Sequence, residues 1–325
     1  MNRRDSVLAL LAFGGASILS FAQQRKKVAH IGILGAETAS GQAGRLDALL
    51  AGLRDLGYVD GENMVIEFRW AEGNYDRLPD LAGELVRLKV DVLVALGIKV
   101  AVAAKGATTM IPIVVPAAAD PVASGLVASL ARHGGNITGS AFFGPELMAK
   151  RLELLIEAVP GITHVGVLLD PANRTFDPSS RAMETAAKSL KVGLQRFEVR
   201  VPREFESAFA AMAKGRVNAV VVQPDTMFTV NAKTIALLAV TNRIPLAGDL
   251  ELAEAGGLIA YGPNFRELFR RSAYFVDKIL KGANPADMPV EQPTKYELVI
   301  NLKTAKALGI TIPQTVLLRT DRIIN

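Results

Sequence analysis

The chain has 325 residues, half of them apolar, with 37 Lys+Arg against 32 Asp+Glu and no cysteine. That length and apolar content support two buried cores rather than one. The missing cysteine excludes disulfides, thiolate metal sites and thiol catalysis. The formal charge of +5 is spread without a long basic run, so no nucleic-acid-binding stripe is expected.

Residues 1–22 carry Arg3-Arg4, an apolar stretch over 7–19, and Ser20-Phe21-Ala22 before Gln23. A charged start, a short apolar core and small residues at the cleavage positions predict a secretory signal peptide cut near Ala22, and hence a periplasmic protein. The apolar segment is too short and too rich in Gly and Ser for a comfortable membrane span. The mature chain then alternates strand and helix: strand 28–34, helix 43–56, strand 64–70, helix 78–88, strand 92–96 and helix 100–107. Leu46, Leu49, Leu50 and Leu53 give the first helix one buried face.

The stretch 111–121 closes this series. Ile113-Val114-Val115 between Pro112 and Pro116 reads as a short buried strand, since proline cannot donate inside a central strand. Asp120-Pro121 ends it as a turn. A short helix over 123–131 and an extended piece over 137–139 follow. From 145 the alternation restarts: helix 148–158, strand 165–169, helix 179–190, strand 193–199, helix 204–213, strand 219–222, helix 230–241 and strand 245–247. The tail adds strand 256–262, a strongly amphipathic helix over 265–280, an extended piece over 297–301, a short helix over 304–308 and a last segment over 316–324. Successive βα units imply parallel sheets with right-handed crossovers and helices on both faces, so the fold class is α/β with two such units.

His30, His133 and His164 are scattered and give no metal-ligand spacing, so neither a metal nor another cofactor is expected. There is no G-x-S-x-G nucleophile elbow and no P-loop, which argues against a hydrolase or an ATPase. The chain reads as a non-enzyme.

Several stretches together resemble one family: DPVASGLVASLARHGGNITG (120–139), KRLELLIEAVP (150–160), EAGGLIAYGPN (254–264), DMPVEQPTKYELVINLKTAKALGITIP (287–313) and LLRTDRII (317–324). They are similar to the exported solute-binding proteins of bacterial ABC transporters, in the subgroup of tryptophan/tyrosine-type binders. The resemblance implies a type I periplasmic-binding-protein fold: two doubly wound parallel-sheet lobes, a three-segment hinge and a ligand cleft between them. It places 28–142 plus 256–282 in the first lobe and 143–255 plus 283–325 in the second. It further implies a monomeric receptor that closes on a small solute and delivers it to an ABC permease in the inner membrane. A sensor protein docking a membrane signalling partner would share all of these features. Three stretches depart from the subgroup's pattern: Gly97-Ile98-Lys99 replaces a loop with Thr or Pro, Asp170 heads what is usually Asn-Pro-Ala-Asn, and 249–253 lacks an Arg-Glu-Phe-like sequence.

Open α/β sheets bind ligands beyond the carboxyl ends of their strands. On the first lobe that rule selects Thr38 and Ser40 (with Glu37) after the first strand, Ile98 and Lys99 after the third, and Asp120 after the fourth. On the second it selects Asn173, Asp225 (with Thr226) and Asp249, and Tyr261 follows a strand expected to return to the first lobe. Asp170 reads as ordering its turn ahead of proline. Lys99 opens a helix, where a cation is unfavourable, and so calls for a carboxylate partner from the ligand or the protein. Hydroxyls and helix starts for a carboxylate, with Asp120 or Asp225 for an ammonium, suit an amino-acid-like solute.

Overall fold

The structure, a computed structural model, describes residues 28–131, 135–173 and 175–325. The expected signal peptide and His133 lie outside the described residues. The first series runs β1 (Ala29–Gly35), α1 (Ala39–Asp55), β2 (Met64–Trp70), α2 (Leu78–Arg87), β3 (Val92–Leu96), α3 (Ile98–Ala107), β4 (Ile113–Ala119) and β5 (Ile137–Phe142). These five strands form one parallel sheet in the order β2-β1-β3-β4-β5. Every residue of β3 is buried, as a central parallel strand covered on both faces requires.

The second series runs α4 (Gly144–Ala158), β6 (His164–Leu169), α5 (Phe176–Leu190), β7 (Gly193–Glu198), α6 (Phe205–Lys214), β8 (Ala219–Val222), α7 (Thr226–Val230), α8 (Ala232–Thr241), β9 (Leu246–Gly248) and α9 (Leu250–Glu254). Then come β10 (Ile259–Gly262), α10 (Phe265–Leu280), β11 (Glu297–Asn301), α11 (Leu302–Leu308), α12 (Gln314–Leu317) and β12 (Arg322–Ile324). Their strands form a seven-stranded sheet, β12-β11-β10-β9-β8-β6-β7, parallel except where β11 meets β10. In each sheet the strand order reverses, between β1 and β3 in the first and between β6 and β8 in the second. Those reversals open crevices at the strands' carboxyl ends.

Three corrections to the sequence reading follow from packing. First, segment 256–282 does not return to the first lobe as a block. β10 pairs with β9 and β11 in the second sheet, because Ile259 and Ala260 are needed in that core. Only α10 crosses back, laying Phe269, Ala273 and Val276 on the core beneath α1 and β1. Residues 290–291 likewise bond to the first lobe, through Val290 N–H to Leu130 O (2.8 Å) and Ala141 N–H to Glu291 O (2.7 Å). The lobes are therefore joined at 143, 263–264 and 292–296.

Second, β4 continues through Pro116 to Ala119. A register shift between Val115 and Ala118 absorbs the proline's missing donor, as bulges do. Third, 123–131 is not a helix. Gly125 adopts φ +71°, and the Leu126 and Val127 amides both turn back to the Pro121 carbonyl at 2.9 and 3.1 Å.

Candidate functional site

The carboxyl ends of six strands, three per lobe, face one another across an interlobe cavity. On the first lobe it is walled by Ala36 after β1, Leu96 to Val100 after β3, and Ala117 and Ala119 at the end of β4. On the second it is walled by Asn173 after β6, Pro224 to Thr226 after β8, and Asp249 after β9. One wall is apolar: the small β4 alanines leave room in front of Phe142, Phe265 and Phe269. Phe142 and Phe265 meet edge to face, with ring centroids 5.3 Å apart.

The opposite wall is charged and centred on Lys99, in the first turn of α3. Gly97 precedes that helix with φ +113°, a conformation costly for any residue with a Cβ. The Lys99 ammonium ion-pairs with Asp170 on the other lobe and lies 4.0 Å from Asp225. It also sits over the Tyr75 ring, 4.2 Å from the centroid. The lysine side chain is only 16 % exposed and its carboxylates 1 % and 6 %, so little solvent screens the group. Burial works against the lysine's charge, but Asp225 and Asp170 outweigh it and its pKa ends above the usual lysine value. The partner that its helix-start position calls for is supplied by the protein.

Asp225 itself is pushed above the ordinary carboxylate range, first by burial, with Lys99 opposing and Asp170 adding. Its two oxygens accept from Met227 N–H (2.8 Å) and Asn173 Nδ2 (2.7 Å). Glu37 closes the cluster. It accepts from the Tyr75 hydroxyl at 2.5 Å and is likewise raised, chiefly by burial, against that hydrogen bond.

A second cross-cleft pair lies to one side. Arg45 Nε on α1 donates to Glu251 Oε1 on α9 at 2.8 Å, with its guanidinium over Phe265 at 4.3 Å. Burial would raise Glu251, yet Arg45 holds its pKa below the usual value.

Of the residues that the strand-end rule selects, the structure brings Ile98, Lys99, Asn173, Asp225 and Asp249 to the cavity. Asp249 is occupied within its own lobe: one oxygen pairs with the fully buried Arg151, and the other accepts from Thr229 Oγ1 at 3.1 Å. Thr38 and Ser40 lie outside, at an outer groove. Thr38 caps α1 by accepting from Gly41 N–H at 3.2 Å, and the Ser40 hydroxyl is 3.2 Å from that of Thr38. Asp120 also stays outside. It holds its turn at φ +47° by accepting from Ala123 N–H at 3.0 Å. Tyr261 faces the hinge instead and stacks on Tyr296, centroids 5.8 Å apart.

Arg45, Gln42, Tyr75 and the three phenylalanines were not selected from sequence. For the first two a signal existed: Gln42 and Arg45 precede Leu49 and Leu53 at helical spacing, so they extend the buried stripe of α1 toward the cleft. For Tyr75, in a short turn, there was none. Among the described residues no cluster of His, Asp or Glu is arranged to hold a metal ion, and no helix is long and apolar enough to cross a membrane.

A family model described as ABC transporter substrate binding protein matches residues 38–324. A tyrosine-binding protein of Clostridioides difficile (strain R20291) is 27 % identical over 259 residues, covering 79 % of this chain and 74 % of the relative. The structure of an ABC domain in complex with L-Trp from Streptococcus pneumoniae is 26 % identical, with a TM-score of 0.84 over 91 % of this chain and 99 % of that one. A ligand-free, open substrate-binding protein with adhesive properties from Clostridium difficile is 25 % identical, with a TM-score of 0.65 over 92 % of this chain and 100 % of that one.

Proposed function

The chain belongs to the family of ABC transporter substrate-binding proteins, and from that premise we propose that it is an exported, monomeric receptor which closes on an aromatic or large apolar amino acid and presents it to an importing permease. It is a binder and not an enzyme. The observation that carries the ligand class is the cavity's two-sided lining, with Phe142, Phe265 and Phe269 on one side and Lys99, Asp225 and Asn173 on the other, the lysine being paired with Asp170. A ligand with an apolar body and a charged head matches both walls. The named ligands of the relatives, tyrosine and L-Trp, are of that kind.

Hinge closure is supported by a contrast between two relatives of nearly equal identity. This chain superposes more closely on the L-Trp complex than on the ligand-free, open protein, with TM-scores of 0.84 and 0.65. The cross-cleft pairs support the same reading, since Lys99 and Arg45 each reach a carboxylate on the opposite lobe. Opening separates these pairs, and a ligand that fills the cavity shifts the population back.

A thermal-shift and calorimetric screen of residues 23–325 against amino acids, nucleosides, sugars and small carboxylates tests the reading. Aromatic or large apolar amino acids should raise the melting temperature by several degrees at saturating concentration. Stabilisation by sugars or nucleosides alone would sink it.

A further inference from the structure

The polar atoms around the cavity are unevenly committed. Asp170 accepts from Ala172 N–H at 2.8 Å with one oxygen and from Lys99 with the other. Both oxygens of Asp225 and one of Asp249 also have donors of their own from the protein, and the other Asp249 oxygen shares the single Thr229 hydroxyl proton with the Asp225 carbonyl. Unmet groups lie elsewhere: Arg45 Nη2, Gln42 Oε1 and Glu251 Oε2 are buried without a partner; Arg45 and Gln42 line the cavity, whereas Glu251 lines the outer groove. Gln42 is only 2 % exposed, so water does not serve it from outside. The first turn of α3 lines the same space, and its leading N–H groups have no acceptor within the helix.

We propose that this site recognises its ligand as an aromatic or large apolar carboxylate whose amino group is dispensable, with Lys99 standing where a ligand ammonium would otherwise neutralise the acidic wall. The inference rests on the receptor reading above and narrows its substrate class. Arg45 Nη2 and the α3 amides are donors, and they suit a carboxylate. Gln42 Oε1 takes a neutral donor such as a hydroxyl or a ring N–H. An α-ammonium would have to share the oxygens of Asp170 and Asp225 with Lys99, which already pairs with the first and lies 4.0 Å from the second. 2-Hydroxy acids with aromatic side chains therefore fit as well as the corresponding amino acids, whereas arylalkylamines lack the group that the spare donors require.

Calorimetry on the purified protein decides the matter, using L-phenylalanine and L-tryptophan, 3-phenyllactate and indole-3-lactate, and phenethylamine and tryptamine. The hydroxy acids should bind within about tenfold of the amino acids, and the amines should not bind measurably. Hydroxy acids bound more than about tenfold less tightly than the amino acids would overturn the inference and leave the receptor reading standing. Binding of the amines would overturn it equally, and silence from all six compounds would remove both. Lys99→Thr adds an independent readout. Freeing the two aspartates should move the hydroxy-acid to amino-acid ratio by about tenfold toward the amino acid, whose retained binding shows that the variant folds. An unchanged ratio would overturn the assignment of Lys99.

Discussion

Asp249 and Asp170 sit at the carboxyl ends of β9 and β6, parallel strands on either side of β8, both almost fully buried, and they are neutralised in different ways. Asp249 meets Arg151, a residue of its own lobe whose guanidinium also donates to the carbonyls of Tyr261 (2.8 Å) and Val222 (3.2 Å). Asp170 meets Lys99, which arrives from the other lobe. The first pair is internal to the second lobe, and on the proposed hinge motion it would remain when the cleft opens. The second spans the cleft and would exist only while the lobes are together. Two similar carboxylates would thus divide between folding and closure according to which side of the cleft supplies the cation.

Removing each cation in turn separates the two roles. Arg151→Met should cost the protein about 3–5 kcal/mol by leaving Asp249 buried and unpaired, read as a large fall in melting temperature with or without ligand. If its melting temperature stays near the wild type, the buried pair does not hold the lobe together. Lys99→Met should leave the melting temperature of the ligand-free protein within a few degrees of wild type. It should weaken binding of a ligand that lacks an ammonium by about tenfold and shift solution scattering of the ligand-free protein toward a more extended particle, since closure then buries two carboxylates without their cation. A variant that scatters like the wild type would show that Lys99 does not help hold the cleft shut.

The pH dependence sharpens the contrast, because only the cleft acids change environment on closing. Glu37 faces Tyr75, Asp225, Lys99 and Asp170, and its pKa is raised, chiefly by burial; Asp225 is raised as well. An acid raised in the closed form takes up a proton that the open, hydrated cleft does not hold. Closing therefore strengthens as pH falls from neutrality toward the usual carboxylate value near about 4.3, and the gain ends where both forms are protonated. Glu251 has the opposite sign: it is lowered, and its contribution is lost only as pH falls through that lowered value. Affinity at pH ~5.5 should exceed that at pH ~7.5 by about two- to fivefold, and Glu37→Gln should flatten the slope. A steeper slope in that variant would contradict the assignment.

The smallest effect belongs to pairs on neither side of this contrast. Arg270 and Asp55 are more than half exposed, and Arg270→Ala should move stability by less than about 0.5 kcal/mol in chemical denaturation.

Much of the fold was legible in the sequence, because hydrophobic runs of strand length alternate with amphipathic helices and each is bounded by Gly, Pro or Asp. What was not legible depended on partners distant in the chain. Nothing local in Ile259-Ala260-Tyr261 says that β9 and β11 will claim the strand, and Pro116 looks like a terminator until β5 accommodates it through a bulge. For the site, strand-end logic reached Lys99, Asn173 and Asp225. It could not tell a carboxylate facing the cleft from one such as Asp120, which is spent on its own turn. Arg151 shows the limit most sharply. It lies on the helix expected over 148–158, and its complete burial follows only once Asp249, Val222 and Tyr261 are folded around it.

Where the lobes approach most closely, one side of the contact has no side chain. A Cβ added to Gly41 would lie 2.9 Å from Val230 Cβ, and one added to Gly97 would lie 2.9 Å from Thr226 Oγ1, in each case across the cleft. In the proposed receptor, closure would therefore end at a hard stop of backbone against side chain, not at the surface of the bound molecule. Ligands small enough to fit would bring the lobes to the same angle, so a docking permease would be shown one shape whatever the cargo. Differences between cargoes would be expressed as how often that shape occurs.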